Sequence, residues 1–177
     1  MGALVLKLAV SSQPQLQERD CPEPSIRLRL FGLPSVSIAG SETPLAPTRP
    51  GQLLAYLAVS GTWQSRDDVA QLFWPDRDGK AAYGNLRNLL TKAHAAFPFA
   101  AIESSQHALR WTAPSDLGDF DAALQLKDWP SAARIGADEL LHGFDDAASE
   151  PYLRWLQTAR EARLEGWARA VKVEGAR

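Results

Sequence analysis

The sequence is poor in the residues that build disulfides and metal sites. It contains one cysteine, Cys21, and its three histidines fall in different predicted elements, so an internal disulfide is excluded and no metal-ligand spacing is present. No apolar run approaches the roughly 20 residues that a membrane-spanning helix needs. The short apolar stretch 3–10 is interrupted by Lys7 and lacks the preceding basic residues of an export signal. We expect a cytoplasmic protein with no metal, no cofactor and no membrane partner.

Motifs of the common enzyme classes are also missing. There is no Gly-x-Gly-x-x-Gly, no Gly-x-Ser-x-Gly and no phosphate-binding loop before Gly79. Residues 76–79 look like the opening of a calcium loop, but Trp74 and Asn85 would then occupy its first and last ligand positions. The sequence therefore predicts no catalytic residue and no enzyme.

Charge is present in both signs but is unevenly distributed. The formal net charge is -2, with 45% hydrophobic and 23% charged residues, which is typical of a soluble globular protein. Residues 26–112 contain nine Lys or Arg against six Asp or Glu, whereas residues 113–177 contain eight against twelve. This asymmetry indicates a weakly basic module followed by an acidic one.

The first half of the chain alternates between strand and helix patterns. Proline and polar residues predict a flexible arm over residues 1–25. Apolar and charged residues alternate over 26–30, and short strands at 36–38 and 43–45, with a turn at Gly40 and Ser41, complete an antiparallel meander. Three helices follow, capped by Thr48, Ser65 and Asp78, the third over residues 79–96. Strands at 101–103 and 108–112 then form a hairpin.

The second half is predicted to be helical. Two helices over 119–126 and 130–141 resemble a tetratricopeptide (TPR)-like pair, and a long helix begins after Ser149. Its apolar stripe is predicted to contain Leu153, Leu156, Leu164, Trp167, Ala168 and Val171. The predicted fold is α+β and then all-α: a winged helix-turn-helix with an N-terminal antiparallel sheet over residues 26–113, and a TPR-like, acidic helical module over residues 114–177.

Several stretches resemble the bacterial antibiotic-regulatory (SARP) transcriptional activators. In the first half these are residues 28–40, 49–58, 65–76 and 85–90, which are similar to the OmpR-like winged helix of that family. In the second half residues 119–120, 128–133, 139–144 and the helix after Pro151 are similar to its bacterial transcriptional activator domain (BTAD). Family members continue with further helices, so the resemblance implies a short member or a fragment of a longer regulator.

The resemblance implies sequence-specific binding of double-stranded DNA. The third helix would lie in the major groove and the hairpin on the backbone or minor groove. Arginine and asparagine suit guanine and adenine edges, and lysine and threonine suit phosphates or bases. Carried over to this sequence, the DNA-contacting residues are Lys80, Arg87, Asn88, Thr91 and Lys92 on the helix and Ser105, Gln106, His107 and Arg110 on the hairpin.

Further expectations concern protein partners. The resemblance implies that the loop containing Asp76 and Arg77 contacts RNA polymerase, although a simple turn between two helices is the alternative. A second copy of this chain, in a homodimer on direct DNA repeats, is a further candidate partner. The weak net charge, and His94 in place of a late arginine in the family, favour a second function class. In that class the winged helix no longer binds DNA and the chain is a protein-interaction module.

Overall fold

The computed structural model describes residues 26–146 and 148–176, so the predicted arm over residues 1–25 lies outside the described residues. Within these ranges, strands and helices follow the order that the sequence predicts, with one additional short strand. The elements are β1 (Ile26–Arg29), β2 (Ser35–Ile38), β3 (Ser41–Pro44), α1 (Arg49–Ser60), β4 (Gln64–Ser65), α2 (Arg66–Phe73), α3 (Gly79–Ala96), β5 (Glu103–Ser104), β6 (Ala108–Arg110), α4 (Asp116–Leu126), α5 (Trp129–Ile135) and α6 (Glu150–Glu174).

The first three strands form the predicted antiparallel meander, in the order β1-β2-β3. The pairing of Ile38 with Ser41 leaves Ala39 and Gly40 as the two turn residues, one position earlier than the sequence indicated. Both have positive φ, 50° and 86°. A two-residue turn with positive φ at both positions matches the twist of a β-hairpin, which explains why the turn lies here.

The three helices of the first half begin at the predicted caps. Thr48, Ser65 and Asp78 each accept a hydrogen bond from a backbone N–H two or three residues further on. Gly51 allows α1 to start close to the preceding segment, because a Cβ there would lie 2.0 Å from the carbonyl oxygen of Ala46. The helices are therefore fixed at their starts by local sequence and packing.

The hairpin after α3 belongs to a three-stranded sheet. Its order is β4-β6-β5, with Gln64 facing Leu109 and Ser65 facing Ala108. The sequence predicts the two hairpin strands but not β4, because two residues give no periodic pattern. We call β5, β6 and the turn between them the wing. The extra strand attaches the wing to the residues that begin α2.

Backbone pairing joins the two halves of the chain. The amide of Leu28 donates to the carbonyl oxygen of Pro114 at 2.8 Å. The carboxylate of Asp116, in the first turn of α4, accepts hydrogen bonds from the amides of Leu30 and Phe31 at 2.8 and 3.1 Å. Burial raises the pKa of Asp116, although these hydrogen bonds oppose the shift. The start of α4 is thus bound to the end of β1.

One hydrophobic core extends through both halves. The rings of Phe31 and Phe120 meet edge to face with centroids 5.3 Å apart, and those of Phe73 and Tyr152 are 5.6 Å apart. Tyr152, in the first turn of α6, is fully buried. The beginning of α6 therefore packs against α2, and the helical half is in direct contact with the helix-turn-helix.

The helix predicted over residues 130–141 is wrong in its second half, because α5 ends before Gly136. A Cβ at Gly136 would lie 2.5 Å from Cε2 of Phe120, so the chain passes close to α4 there. It then turns towards the first sheet, where the amide of Leu141 donates to the carbonyl oxygen of Leu30 at 2.8 Å. Backbone pairing with the distant segment that follows β1 replaces the local helical hydrogen bonds.

The predicted apolar stripe of α6 is also partly wrong. Leu164 is 61% exposed, and Leu153 and Val171 are exposed as well. At Gly166 the helix lies close to α4, because a Cβ there would lie 2.8 Å from Cδ1 of Leu124. Because a glycine contacts α4 there, the buried face of α6 is rotated around the helix relative to the stripe predicted from large apolar residues. The buried residues are Tyr152, Leu156, Gly166 and Ala170.

Candidate nucleic-acid interface

Helix α3 has one buried and one exposed face. The buried residues are Ala82, Leu86, Leu89 and Ala93. The five helix residues predicted to contact DNA are all exposed: Lys80, Arg87, Asn88, Thr91 and Lys92. The helix is thus held by its apolar side and presents its polar side to solvent.

The turn of the wing is stabilised by Ser105. Its amide donates to the carbonyl oxygen of Ala108 at 2.9 Å. Its side-chain oxygen accepts hydrogen bonds from the amides of His107 and Ala108 at 3.3 and 3.0 Å. Gln106, which stands between Ser105 and His107 in the sequence, is exposed. The three predicted turn residues of the wing therefore share one compact, polar turn.

Arg66, the first residue of α2, attaches the wing to the helix-turn-helix. Its Nε donates to the carbonyl oxygen of Ser105 at 3.0 Å, and its Nη2 donates to Oγ of Ser104 at 2.5 Å. Its backbone amide also donates to the carbonyl oxygen of His107 at 2.8 Å. These three contacts fix the position of the wing relative to α2.

A cleft of about 410 Å³ lies between the exposed face of α3 and the wing. Four of the residues predicted to contact DNA meet there, namely Arg87 and Thr91 from the helix and Ser105 and Gln106 from the wing. A guanidinium and several hydroxyl and amide groups suit phosphate oxygens and base edges. The residues lining the cleft are Arg66, Tyr83, Arg87, Leu90, Thr91, His94, Ser105 and Gln106.

Four further predicted residues are exposed but lie outside this lining. Lys80 is in the first turn of α3. Asn88 and Lys92 are four residues apart and therefore share one flank of the helix. His107 belongs to the turn of the wing. These residues extend the polar surface beyond the cleft.

Arg110, the last predicted residue, is bound within the wing. Its guanidinium donates two hydrogen bonds to the carboxylate of Glu103, at 2.9 and 2.8 Å, and lies 4.9 Å from the ring centroid of Trp63. The hydrogen bonds from Arg110 lower the pKa of the Glu103 carboxyl. The positive charge of Arg110 is therefore balanced by the carboxylate of Glu103 on the neighbouring strand.

Arg66, Tyr83 and His94 line the cleft but were not predicted as DNA-contacting residues. Tyr83 and His94 lie about 60° and 80° around the helix from Leu86, at the margin of the buried face, where periodicity gives no clear assignment. The contacts of Arg66 lie 38 and 39 residues further along the chain, so local sequence does not reveal them. Predicting that Arg66 lies in the cleft would have required the strand register that joins the wing to β4.

The loop between α2 and α3 lies next to the start of α6. The amide of Arg77 donates to the carbonyl oxygen of Trp74 at 3.2 Å, which forms a turn, and both Asp76 and Arg77 are exposed. The hydroxyl of Ser149 donates to the carbonyl oxygen of Leu72. A cleft of about 390 Å³ separates the two segments; it is lined by Arg49, Phe73, Trp74, Pro75, Asp76, Arg77, Ser149, Glu150, Pro151 and Arg154.

Two further observations concern metal sites and membrane spans in the described residues. Residues 26–146 and 148–176 contain no group of three or more His, Cys, Asp or Glu side chains placed to hold a metal ion. None of the helices in these ranges combines the length and apolar character needed to cross a lipid bilayer.

Comparison with known proteins gives a likeness in fold. No protein-family model matches the sequence, and no curated protein matches it. The fold is similar to that of EmbR from Mycobacterium tuberculosis, solved in complex with a low-affinity phosphopeptide, with a TM-score of 0.58 and 16% sequence identity. The match covers 86% of this chain and 47% of the EmbR chain, so this chain spans about half the length of EmbR. The likeness confirms the predicted fold class, a small antiparallel sheet and winged helix followed by a helical module.

Proposed function

We propose that the chain is a sequence-specific regulator of transcription that binds double-stranded DNA. Helix α3 would enter the major groove and the wing would contact the adjacent backbone or minor groove. The observation that carries the proposal is the cleft in which Arg87 and Thr91 of α3 face Ser105 and Gln106 of the wing. EmbR is a regulator of the SARP family, so the likeness in fold supports the same class of function.

The electrostatics of this surface are compatible with a nucleic acid. Arg66 and Arg87 lie in the cleft, and Lys80 and Lys92 extend from α3 beside it. Of the nearby carboxylates, Glu103 is bound by Arg110, and Asp67, next to Arg66, accepts a hydrogen bond from Tyr83. The negative charge of Glu103 is thus balanced within the protein, which weakens its repulsion of phosphate, whereas the phenol hydrogen bond leaves the charge of Asp67 in place.

Protein partners form the rest of the proposal. Asp76 and Arg77 lie on an exposed loop next to the start of α6, and we assign this surface to a contact with RNA polymerase on the promoter. We assign the acidic helical module, residues 114–177, to regulation or to a homodimer on direct repeats. A protein that reads DNA in a bacterium acts in the cytoplasm, which is the location we propose.

The salt dependence of duplex binding tests the proposal. With about three to five phosphates neutralised, the logarithm of the binding constant should fall against the logarithm of salt concentration with a slope of roughly -3 to -5. Lys80→Gln combined with Arg87→Gln should make this slope shallower by about 2. The matched control is Arg134→Gln, which removes an exposed arginine from α5 and should leave the slope unchanged. A wild-type slope near zero would show that the proposal is wrong.

A second candidate function is a protein-interaction module that has no DNA partner. The observation that favours it is the ion pair between Arg110 and Glu103, which balances an arginine of the wing. Under this alternative, the cleft beside α3 would bind a protein segment and duplex binding would be absent at any salt concentration. The salt titration therefore distinguishes the two candidates.

A further inference from the structure

We infer that Tyr83 is a specificity-determining residue that contacts the methyl group of a thymine in the major groove. The inference rests on the proposed function and names one base feature that the site reads. Tyr83 lies in the second turn of α3, is 39% exposed, and lines the cleft together with Arg87 one turn later. The N-terminal residues of a recognition helix are those that contact base edges.

The hydroxyl group of Tyr83 is already bound within the protein. It donates a hydrogen bond to Oδ1 of Asp67 at 2.6 Å, and this bond raises the pKa of the Tyr83 phenol. A phenol has a single O–H donor. Since that donor is used by Asp67, Tyr83 offers a ligand no hydrogen-bond donor; it presents the edge and face of its ring, and its oxygen keeps only the capacity to accept.

The hydrogen bond also holds the ring in place. Asp67 belongs to the first turn of α2, so the contact spans the two helices of the helix-turn-helix. A side chain that is fixed before binding loses less rotamer freedom when it contacts a ligand. Tyr83 is therefore prepared for a contact that depends on shape.

Thymine is the base that fits this surface. Its C5 methyl group is the apolar feature that direct readout uses in the major groove. Leu90, half-buried in the same cleft, adds a second apolar side chain. A phosphate fits poorly, because the Tyr83 hydroxyl is occupied and the carboxylate of Asp67 repels negative charge. The methyl group is thus favoured over a backbone contact.

Replacement of thymine by deoxyuridine, which lacks the methyl group, tests the inference. A duplex is first selected from a random-sequence library with the 177-residue chain, and each thymine is then replaced in turn. Burial of one methyl group corresponds to about a fourfold change in affinity. We expect the wild-type chain to lose about this factor at one thymine. Tyr83→Ala should bind more weakly and lose the deoxyuridine effect at that thymine alone.

Matched variants distinguish a direct contact between Tyr83 and thymine from a structural role of the Tyr83 side chain. Tyr83→Phe keeps the ring and should keep the deoxyuridine effect, and Tyr83→Gln replaces Tyr83→Ala if circular dichroism shows that the latter is unfolded. Leu126→Ala removes another exposed apolar side chain, at the end of α4, and should behave as wild type. If the deoxyuridine effect is absent from wild type, or is the same in Tyr83→Ala, the inference is wrong while the proposed function stands. If no duplex shows salt-dependent binding, both are wrong.

Discussion

The guanidinium of Arg110 donates two hydrogen bonds to the carboxylate of Glu103 on the neighbouring strand of the wing. Both side chains are partly exposed, so the pair lies at the protein surface rather than in the core. An arginine bound in this way contributes less to the attraction of phosphate than an unpaired one, because its charge is balanced within about 3 Å. The wing therefore limits the affinity for DNA that we propose.

We expect Glu103→Gln to increase affinity for duplex DNA. The change removes one negative charge and releases Arg110, so the salt slope should become steeper by about 1. Electrophoretic mobility shifts at several salt concentrations measure both quantities. The control is Glu165→Gln, which likewise removes one negative charge, but from the exposed surface of α6, far from Glu103 in the sequence. Weaker binding by Glu103→Gln would mean that the ion pair orients Arg110 for its contact.

We expect Arg87→Ala to reduce sequence preference while the fold stays intact. Arg87 is exposed in the cleft, so the free energy of unfolding should change by no more than about 0.5 kcal/mol. If it binds a guanine through two hydrogen bonds, discrimination at one base pair should fall by about 1 to 3 kcal/mol. Binding to a set of single-base variants of the selected duplex measures this. Equal weakening on every duplex would identify Arg87 as a phosphate contact instead.

We expect charge reversal at Asp76 and Arg77 to reduce promoter activation without reducing DNA affinity. The double variant Asp76→Lys with Arg77→Glu leaves the net charge unchanged and leaves Asp78 to cap α3. Transcription in vitro with purified polymerase, together with mobility shifts, measures the two effects. If activation and affinity both remain normal, the loop is only a connection between α2 and α3.

We expect Arg160→Ala to destabilise the fold. The side chain of Arg160 is 15% exposed, and its guanidinium donates to the carbonyl oxygens of Leu140 and Leu141 and to both carboxylate oxygens of Asp145, all at 2.8 to 3.0 Å. Loss of these bonds should lower the free energy of unfolding by about 2 to 3 kcal/mol. Urea denaturation measures it. Arg154→Ala removes a 70% exposed arginine from the same helix and should cost less than about 0.5 kcal/mol.

The interaction between Arg160 and Asp145 also predicts that the stability of the fold depends on pH. Hydrogen bonds from Arg160 lower the pKa of Asp145 below its usual value of 3.8. A carboxyl whose pKa is lower in the folded state stabilises the fold above its unfolded pKa, and this contribution is lost as the pH falls through the folded pKa. The stability difference between wild type and Asp145→Asn should therefore be constant near neutral pH and shrink below about pH 4. A constant difference down to pH 2 would contradict the assignment.

The sequence predicts the helix-turn-helix well because its signals are local. Asp78 caps α3, and Leu86 and Leu89 repeat at helical spacing, so the observed helix has the bounds that the pattern indicates. The wing turn is similarly predicted from polar residues between two short strands. Four of the nine predicted DNA-contacting residues meet in one cleft for the same reason, since each lies on an element with a recognisable local pattern.

Tertiary contacts explain what local patterns do not predict. The end of α5 depends on backbone pairing with residues 30–32, which follow β1, and the buried face of α6 depends on Gly166, which contributes nothing to an apolar stripe. Within the candidate site, Arg66 binds residues of the wing that are 38 and 39 positions away. The ion pair of Arg110 likewise needs the register of β5 and β6, which places Glu103 opposite it. These features require the assembled fold.

The packing of Tyr152 against Phe73 has a consequence for genetics. Substitutions in the first turns of α6 would lower the stability of α2 and thereby of the adjoining helix α3, although they lie more than 50 residues from α3 in the sequence. In a screen for lost promoter activity, such alleles would be scored together with those of α3 itself. Suppressors that restore general stability should rescue the first group and leave changes at Arg87 unrescued.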